Sequence, residues 1–396
     1  MSSFVTDKVK NMPASGIRKF FDVAAEMKDI ISLGVGEPDF FTPWNVREEA
    51  IYSLERRRTA YTSNAGHPAL REAICEYMRT RFQLKYSAKE EIIVTVGVSE
   101  AIDIALRAVI NPGDEVLIIE PCYVSYRACV ILAGGVPVTV PTDEENNFRV
   151  QAEDIRSRIT PRTKAIMLCY PNNPTGAIME RDDLEKICTV LRDHEDILVI
   201  SDEVYAELTY TDENKHISIA TMPGMYERTL VLNGFSKAFA MTGWRLGYAC
   251  GPAELIAGMV KIHQYVIMCA PTTAQIAGIE ALKNGLEGVQ KMRDEYNDRR
   301  RLMVESFREI GISCFEPLGA FYLFPSIKKT GLTSEDFCTR MLMEKRLAVV
   351  PGTAFGECGE GFIRCSYAYS VEELKEAVQR IKDFVLHSTD FHGGIV

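Results

Sequence analysis

Lys237 stands in the run Gly234-Phe235-Ser236-Lys237-Ala238-Phe239-Ala240-Met241-Thr242-Gly243-Trp244-Arg245-Leu246-Gly247. It is one amine among small and apolar residues, with a guanidinium eight positions on, beyond a glycine. A lysine that is desolvated or set beside another cation has a lowered amine pKa, the state that suits Schiff-base chemistry. An arginine reached through a glycine-containing turn suits an anion such as a phosphate. A second segment, Ser201-Asp202-Glu203-Val204-Tyr205, follows an apolar run ending at Ile200. An acid at the carboxyl end of a central strand is where open α/β sheets touch ligands; the plain alternative for Asp202 is a helix N-cap. Tyr170-Pro171-Asn172-Asn173-Pro174-Thr175-Gly176 is a turn by composition. In Gly97-Val98-Ser99-Glu100, first-turn amides of a helix could hold a phosphate, or Ser99 could simply cap that helix. Tyr123, in Pro121-Cys122-Tyr123, could stack on a planar ring or fill a core.

The elements that must position these residues follow a β-α-β rhythm from about Glu91 onward. Predicted strands are Ile92–Thr95, Val116–Glu120, Val136–Val140, Ala165–Tyr170, Ile197–Ile200 and Thr229–Leu232. Helices are predicted at Ser99–Ile110, near Glu153–Ile159 and at Arg181–His194. Continuously apolar strands such as Ile197-Leu198-Val199-Ile200 fit a parallel sheet covered on both faces. Ser99, Tyr123, Asn173, Asp202 and Lys237 then fall just past five strands, whose ends converge on one crevice. After about Pro252 helices dominate to about Ile310, followed by short strands (Phe321–Phe324, Phe362–Ser366), a helix Ser334–Lys345 and a terminal amphipathic helix Val371–His387. This pattern predicts a second, smaller α+β unit.

Composition narrows the function. The 396 residues are too many for one ordinary core. With 46% hydrophobic and 25% charged residues, the chain is an ordinary globular one and not a disordered one. A net charge of −10 argues against general binding of nucleic acid. The 11 cysteines contain no Cys-x-x-Cys pair and the six histidines no H-E-x-x-H, which gives no support for zinc. Unpaired thiols fit a reducing compartment. The charged N-terminus lacks a secretory apolar stretch, and no run is long enough to span a membrane. A soluble cytoplasmic chain is expected.

In these motifs the chain resembles the class I/II pyridoxal-phosphate (PLP) aminotransferases of the aspartate aminotransferase fold. The resemblance runs from Leu33-Gly34-Val35-Gly36-Glu37-Pro38-Asp39 to the terminal helix. Its most specific part is the Lys237–Gly247 segment, with the Asn-Pro-Thr-Gly and Asp-Glu-Val-Tyr segments in the family's order and spacing. It implies a type I PLP-dependent transferase fold, α/β, with a mostly parallel seven-stranded sheet in a large domain and a smaller α+β domain. The implied limits are an N-terminal arm at 1–45, a PLP-binding domain at 46–290 and a small domain at 291–396.

The resemblance also implies roles. Lys237 would bind PLP covalently and carry the catalytic proton. Asp202 would bond the pyridinium nitrogen, and Tyr205 and Asn173 the ring's phenolic oxygen. Tyr123 would stack on the ring. Arg245, Val98, Ser99 and Ser236 would hold the phosphate, joined by Tyr61 from the other subunit of a homodimer. Arg364 would take the substrate α-carboxylate, with Asn173 and the Gly36 backbone beside it. Gly234 stands where many relatives have a phosphate-binding serine. The lysine that one aspartate-specific branch carries at Val98–Ser99 is absent. Ser15-Gly16-Ile17-Arg18-Lys19-Phe20 and His263-Gln264-Tyr265 look closest to the branch with aromatic and N-acetyl-diaminopimelate aminotransferases. Ile17 and Phe20 would belong to a lid over substrate.

The implied reaction passes an amino group from an L-amino acid (aspartate, aromatic or related) to a 2-oxo acid such as 2-oxoglutarate, by a ping-pong course. The same residues would serve a PLP-dependent carbon–sulfur β-lyase. A non-catalytic PLP-fold binding protein is the more distant alternative, because such regulators carry an added DNA-binding domain. A nicotinamide dehydrogenase is disfavoured, since no G-x-G-x-x-G opens a helix after a strand.

Overall fold

A computed structural model describes residues 4–12, 27, 29–211, 213 and 215–387. The Ser15–Phe20 stretch and the proposed lid lie outside the described residues. In chain order the strands are β1 (Ile31–Ser32), β2 (Ile92–Thr95), β3 (Glu115–Glu120), β4 (Val136–Pro141), β5 (Thr163–Cys169), β6 (Leu198–Asp202), β7 (Thr229–Gly234), β8 (Gly247–Cys250), β9 (Tyr322–Leu323), β10 (Leu347–Ala348), β11 (Val350–Pro351) and β12 (Ile363–Ser366).

Seven of them form one sheet in the order β2-β8-β7-β6-β5-β3-β4. All run parallel except β8, which lies antiparallel to both β2 and β7. Every residue of β3 and β7 is buried. Continuous burial follows from helices on both faces, and it explains why these strands read as unbroken apolar runs. The sequence places β6 at Ile197–Ile200; the strand starts and ends later, and Asp202 is its last residue. β8 escapes the periodicity because its four residues, Gly-Tyr-Ala-Cys, carry little strand signal.

The helix after β2 spans Gly97–Val109, two residues ahead of the expected start. Its N-cap is Val96, whose side chain caps nothing, so the plain alternative for Ser99, a helix cap, does not hold. The helix Arg181–Arg192 ends two residues before the expected His194. It starts with a reciprocal box in which Glu180 and Asp183 each accept the other's backbone N–H.

The helices Ala253–Val266 and Thr272–Asn284 pack with this large sheet: Ile256 and Met259 join Ile102 and Leu106, and Ala277 and Leu282 join Ile74 and Phe235. The helix Leu286–Glu309 crosses between clusters. Val289 packs with the sheet-side core, whereas Met292, Tyr296, Met303 and Phe307 pack with Phe321, Phe337 and Ile381 of the C-terminal part. That part holds a three-stranded sheet, β11-β12-β9, and the helices Ser334–Lys345 and Val371–His387. β1 pairs in parallel with β10, which ties the segment after residue 30 to the C-terminal part. All eleven cysteines are free thiols.

Candidate active site

Five parallel strands end at one rim of the large sheet. Beyond β2 comes Gly97-Val98-Ser99, beyond β3 Tyr123, beyond β5 Asn173; Asp202 closes β6, and Lys237 follows β7. Because β8 runs the other way, its beginning lies at this same rim, which brings Arg245 there. Gly36, Val98, Ser99, Tyr123, Asn173, Asp202, Tyr205, Ser236, Lys237, Arg245 and Arg364 all line one cavity of about 330 Å³. Tyr61 is the predicted residue the chain does not bring there. It is 81% exposed and lines a separate surface groove with Thr272 and Ile276.

Lys237 Nζ donates to the carbonyl of Gly36 at 2.5 Å and sits over the rings of Tyr205 and Phe321, 5.8 and 5.7 Å from their centroids. Desolvation lowers its pKa to about 8; Arg364 and Arg245 push the same way, against Glu37 and Asp202. At pH 7 about a tenth of such amines are neutral, against roughly 0.03% at an ordinary lysine pKa. Opposite it, Asp202 is 5% exposed and caps no helix. Its Oδ1 accepts from the Val204 N–H at 3.2 Å and its Oδ2 from the Tyr126 hydroxyl at 2.6 Å. Burial raises its pKa to about 6, with the Tyr126 bond as the main opposing influence.

One end of the cavity is built to meet an anion. The first-turn amides of Gly97–Val109 have no capping side chain, and Glu100 Oε2 instead accepts from Val96 N–H. Arg245 sits directly against Gly97: a Cβ there would lie 2.7 Å from Arg245 Nη2. Gly247 packs so closely on this turn that a Cβ would fall 2.6 Å from Val98 N. Arg245 itself holds a left-handed backbone, φ 52°, which costs a non-glycine residue about 1 kcal/mol, and its Nη1 donates to Thr242 O at 2.9 Å. At Gly234 a Cβ would fit tightly, 3.0 Å from Gly247 Cα and 3.1 Å from Val98 Cγ2.

The other end holds Arg364, 3% exposed. Its Nη1 donates to Asn173 Oδ1 at 2.9 Å and its Nη2 to Gly34 O at 2.5 Å, while its buried Nε has no partner. The rings of Tyr322 and Phe355 flank the guanidinium, 4.5 and 4.7 Å from its carbon. Asn172 folds the turn that presents Asn173: its Oδ1 accepts from Thr175 N–H and hydroxyl, and its Nδ2 donates to Cys169 O and Pro121 O. Two adjacent asparagines thus divide turn-making from cavity-lining.

Tyr126, Tyr322, Gly34 and Glu37 also line the cavity and were not found by sequence reasoning. Tyr126 carried a usable signal, lying three residues beyond Tyr123 in Tyr123-Val124-Ser125-Tyr126. Gly34 contributes only a carbonyl, which no residue type announces. Among the described residues there is no group of side chains able to hold a metal ion, and no helix long and apolar enough to cross a membrane.

A family model for aminotransferase class I and II matches residues 28–381. The chain is 56% identical over 389 residues to a Bacillus subtilis protein described as the putative aminotransferase YugH, covering 98% of this chain and 100% of that one. It is 47% identical over 380 residues to the aspartate aminotransferase of Pyrococcus abyssi, covering 96% and 97% of the two chains. It also superposes on the crystal structure of the aromatic aminotransferase from Pyrococcus horikoshii with a TM-score of 0.88, at 44% identity over 93% of this chain and 98% of that one.

Proposed function

The chain belongs to the class I and II aminotransferases and is an enzyme of that family; from this premise we propose that it passes an amino group from an L-amino acid, aspartate or aromatic, to a 2-oxo acid such as 2-oxoglutarate, in ping-pong order and with PLP. The observation that carries this reading is the meeting of a depressed amine, a buried acid and two guanidinium groups in one cavity. The relatives described as aspartate and aromatic aminotransferases support the substrate range.

The residues present fit PLP. The uncapped helix turn, Arg245 and the glycine contacts at Gly97 and Gly247 form a cradle for its phosphate, with Val98, Ser99 and Ser236 at the rim. Asp202, held by Tyr126, suits a protonated ring nitrogen, and Tyr123 suits the ring face. Tyr205 and the Nδ2 group of Asn173 suit the phenolic oxygen. When bound, PLP supplies an electron sink for the charge left on the substrate's α-carbon. The chain's own residues do the rest. Lys237 would hold the cofactor, and its amine, when free, would take the substrate's α-proton and carry it for return. Arg364 binds the α-carboxylate through N–H groups not already engaged by Asn173 and Gly34, next to the Gly36 backbone.

We assign 46–290 as the PLP-binding domain, 291–396 as the small domain and 1–45 as the arm. A homodimer would use Tyr61. Its loop is anchored by Thr272 to Ala60 O and by Asn64 to Met268 O, beside the exposed Tyr265 and Val266. The free thiols favour the cytoplasm.

The test is the absorbance of purified protein with PLP, before and after aspartate, glutamate, alanine, phenylalanine and tyrosine are added singly. Conversion of the bound-cofactor band to that of the aminated cofactor, without an oxo acid present, is expected, and the fastest converter ranks the donors. A Lys237→Ala variant that still transaminates appreciably would overturn the assignment.

A further inference from the structure

Tyr322 stands where three parts of the cavity meet. It opens β9, opposite Ser366 of β12, so it lies diagonally across from Arg364 on the same face. Its ring backs the Arg364 guanidinium at 4.5 Å. Its hydroxyl is 2.7 Å from that of Tyr205, and the two phenols are 1% and 4% exposed. The hydroxyl also occupies the space a side chain at position 36 would need: a Cβ on Gly36 would lie 2.2 Å from Tyr322 Oη. Gly36 is the residue whose carbonyl receives Lys237. One phenol therefore touches the carboxylate end, the lysine's resting place and Tyr205.

A hydroxyl has one proton. If Tyr205 donates into the cavity, as the proposed function has it do, its own oxygen is free to accept, and the group in place to donate is Tyr322. We infer that Tyr322 is a positioning residue that donates to Tyr205, and so strengthens Tyr205 as a donor to the cofactor's phenolic oxygen. The inference rests on the proposed function and deepens it.

Chained hydrogen bonds polarise one another, by about 10–30% per bond in a site of low dielectric. A stronger donor on the phenolic oxygen draws charge from it and weakens its hold on the neighbouring Schiff-base proton. Tyr322 thus lowers the pH at which the bound cofactor's visible band titrates. The groups facing Tyr322 are Arg364 from β12, Tyr205, Tyr123 and Cys169 at the end of β5; of these only Arg364 carries a fixed positive charge. A carboxylate bound on Arg364 offsets that charge, makes the Tyr322 hydroxyl a weaker donor and moves the same midpoint upward. Tyr322 is in this way a second connection, beside the Arg364–Asn173 bond, by which arrival of a carboxylate is felt at the cofactor.

The experiment is a pH titration of the visible band in the PLP-loaded enzyme. Tyr322→Phe keeps the ring against Arg364 and removes only the hydroxyl. Its midpoint should lie above that of the unmodified enzyme by about 0.3 pH, the size expected from a 10–30% weakening of one charge-assisted bond. The upward shift caused by maleate, a carboxylate with no amino group to transfer, should shrink in the same variant. In a Tyr205→Phe background, adding Tyr322→Phe should change the midpoint no further, because the acceptor through which it acts is gone. KM for the amino donor should stay within about twofold, since Arg364 keeps its ring contact.

A Tyr322→Phe midpoint equal to the unmodified one would overturn the inference. So would an equal effect of Tyr322→Phe with and without Tyr205, which would mean a general change in packing. Loss of the visible band already in the unmodified protein would instead refute the proposed function, and this inference with it.

Discussion

Asp202→Asn should make the cofactor-free protein more stable while stopping amino transfer. Asp202 is buried, and burial raises its pKa from 3.8 to about 6. A carboxyl whose folded-state pKa is raised favours folding at low pH and loses that advantage as pH climbs through the folded value. Relative to the fully protonated state, the penalty grows from about 2 kcal/mol at pH 5 to about 3 kcal/mol at pH 8. Asparagine has nearly the same shape and no charge. Its oxygen and NH2 group can serve both present partners, because the Tyr126 hydroxyl accepts as readily as it donates. Denaturant unfolding of the cofactor-free protein should therefore show the variant ahead, with a lead that widens by about 1 kcal/mol between pH 5 and pH 8. Catalysis should fall, because asparagine cannot keep a ring nitrogen protonated. A variant that is no more stable at pH 8 than at pH 5, relative to the unmodified protein, would refute the argument that this acid is held at a cost.

Capture of an aldehyde by Lys237 in cofactor-free protein should follow the neutral amine, with rates rising through about pH 8 and levelling above it; a rise continuing beyond pH 10 would mean an ordinary exposed lysine. Arg364→Met should raise KM for both the amino and the oxo acid, by about 10–100-fold from the loss of charged hydrogen bonds, and unchanged KM values would remove Arg364 from the site. Gly176→Ala should destabilise the protein by about 1–3 kcal/mol in denaturant unfolding, because φ there is +73° and the new Cβ would meet Pro317 Cβ at 2.3 Å.

Much of the site was legible because parallel strands place chemistry just past their ends. Ser99, Tyr123, Asn173, Asp202 and Lys237 needed only correct strands and the rule that their ends converge. Arg245 was visible as a residue, but the reason it reaches the rim was not. That depends on the direction of β8, a four-residue strand containing a glycine. Tyr322 was illegible for another reason. A tyrosine inside Phe321-Tyr322-Leu323-Phe324 looks like core, and in burial it is core; only its partner shows what the hydroxyl does. The carbonyls of Gly34 and Gly36 are positioned by tertiary packing alone. Tyr61 shows the limit of a single chain, since its proposed role needs a neighbour.

The direction of β8 also bears on how the molecule assembles. Ile92 pairs with Cys250, so the edge strand β2 waits for a partner made about 155 residues later in the chain. Pairings this distant are slow to form, because a long loop must close before any contact rewards it. Until β8 slots between β2 and β7, Gly97 and Arg245 have no reason to be neighbours. The proposed phosphate cradle is thus a feature of the completed sheet. During refolding, the cofactor would act as a reporter of the final closure and would hold it shut, without hastening the steps before it.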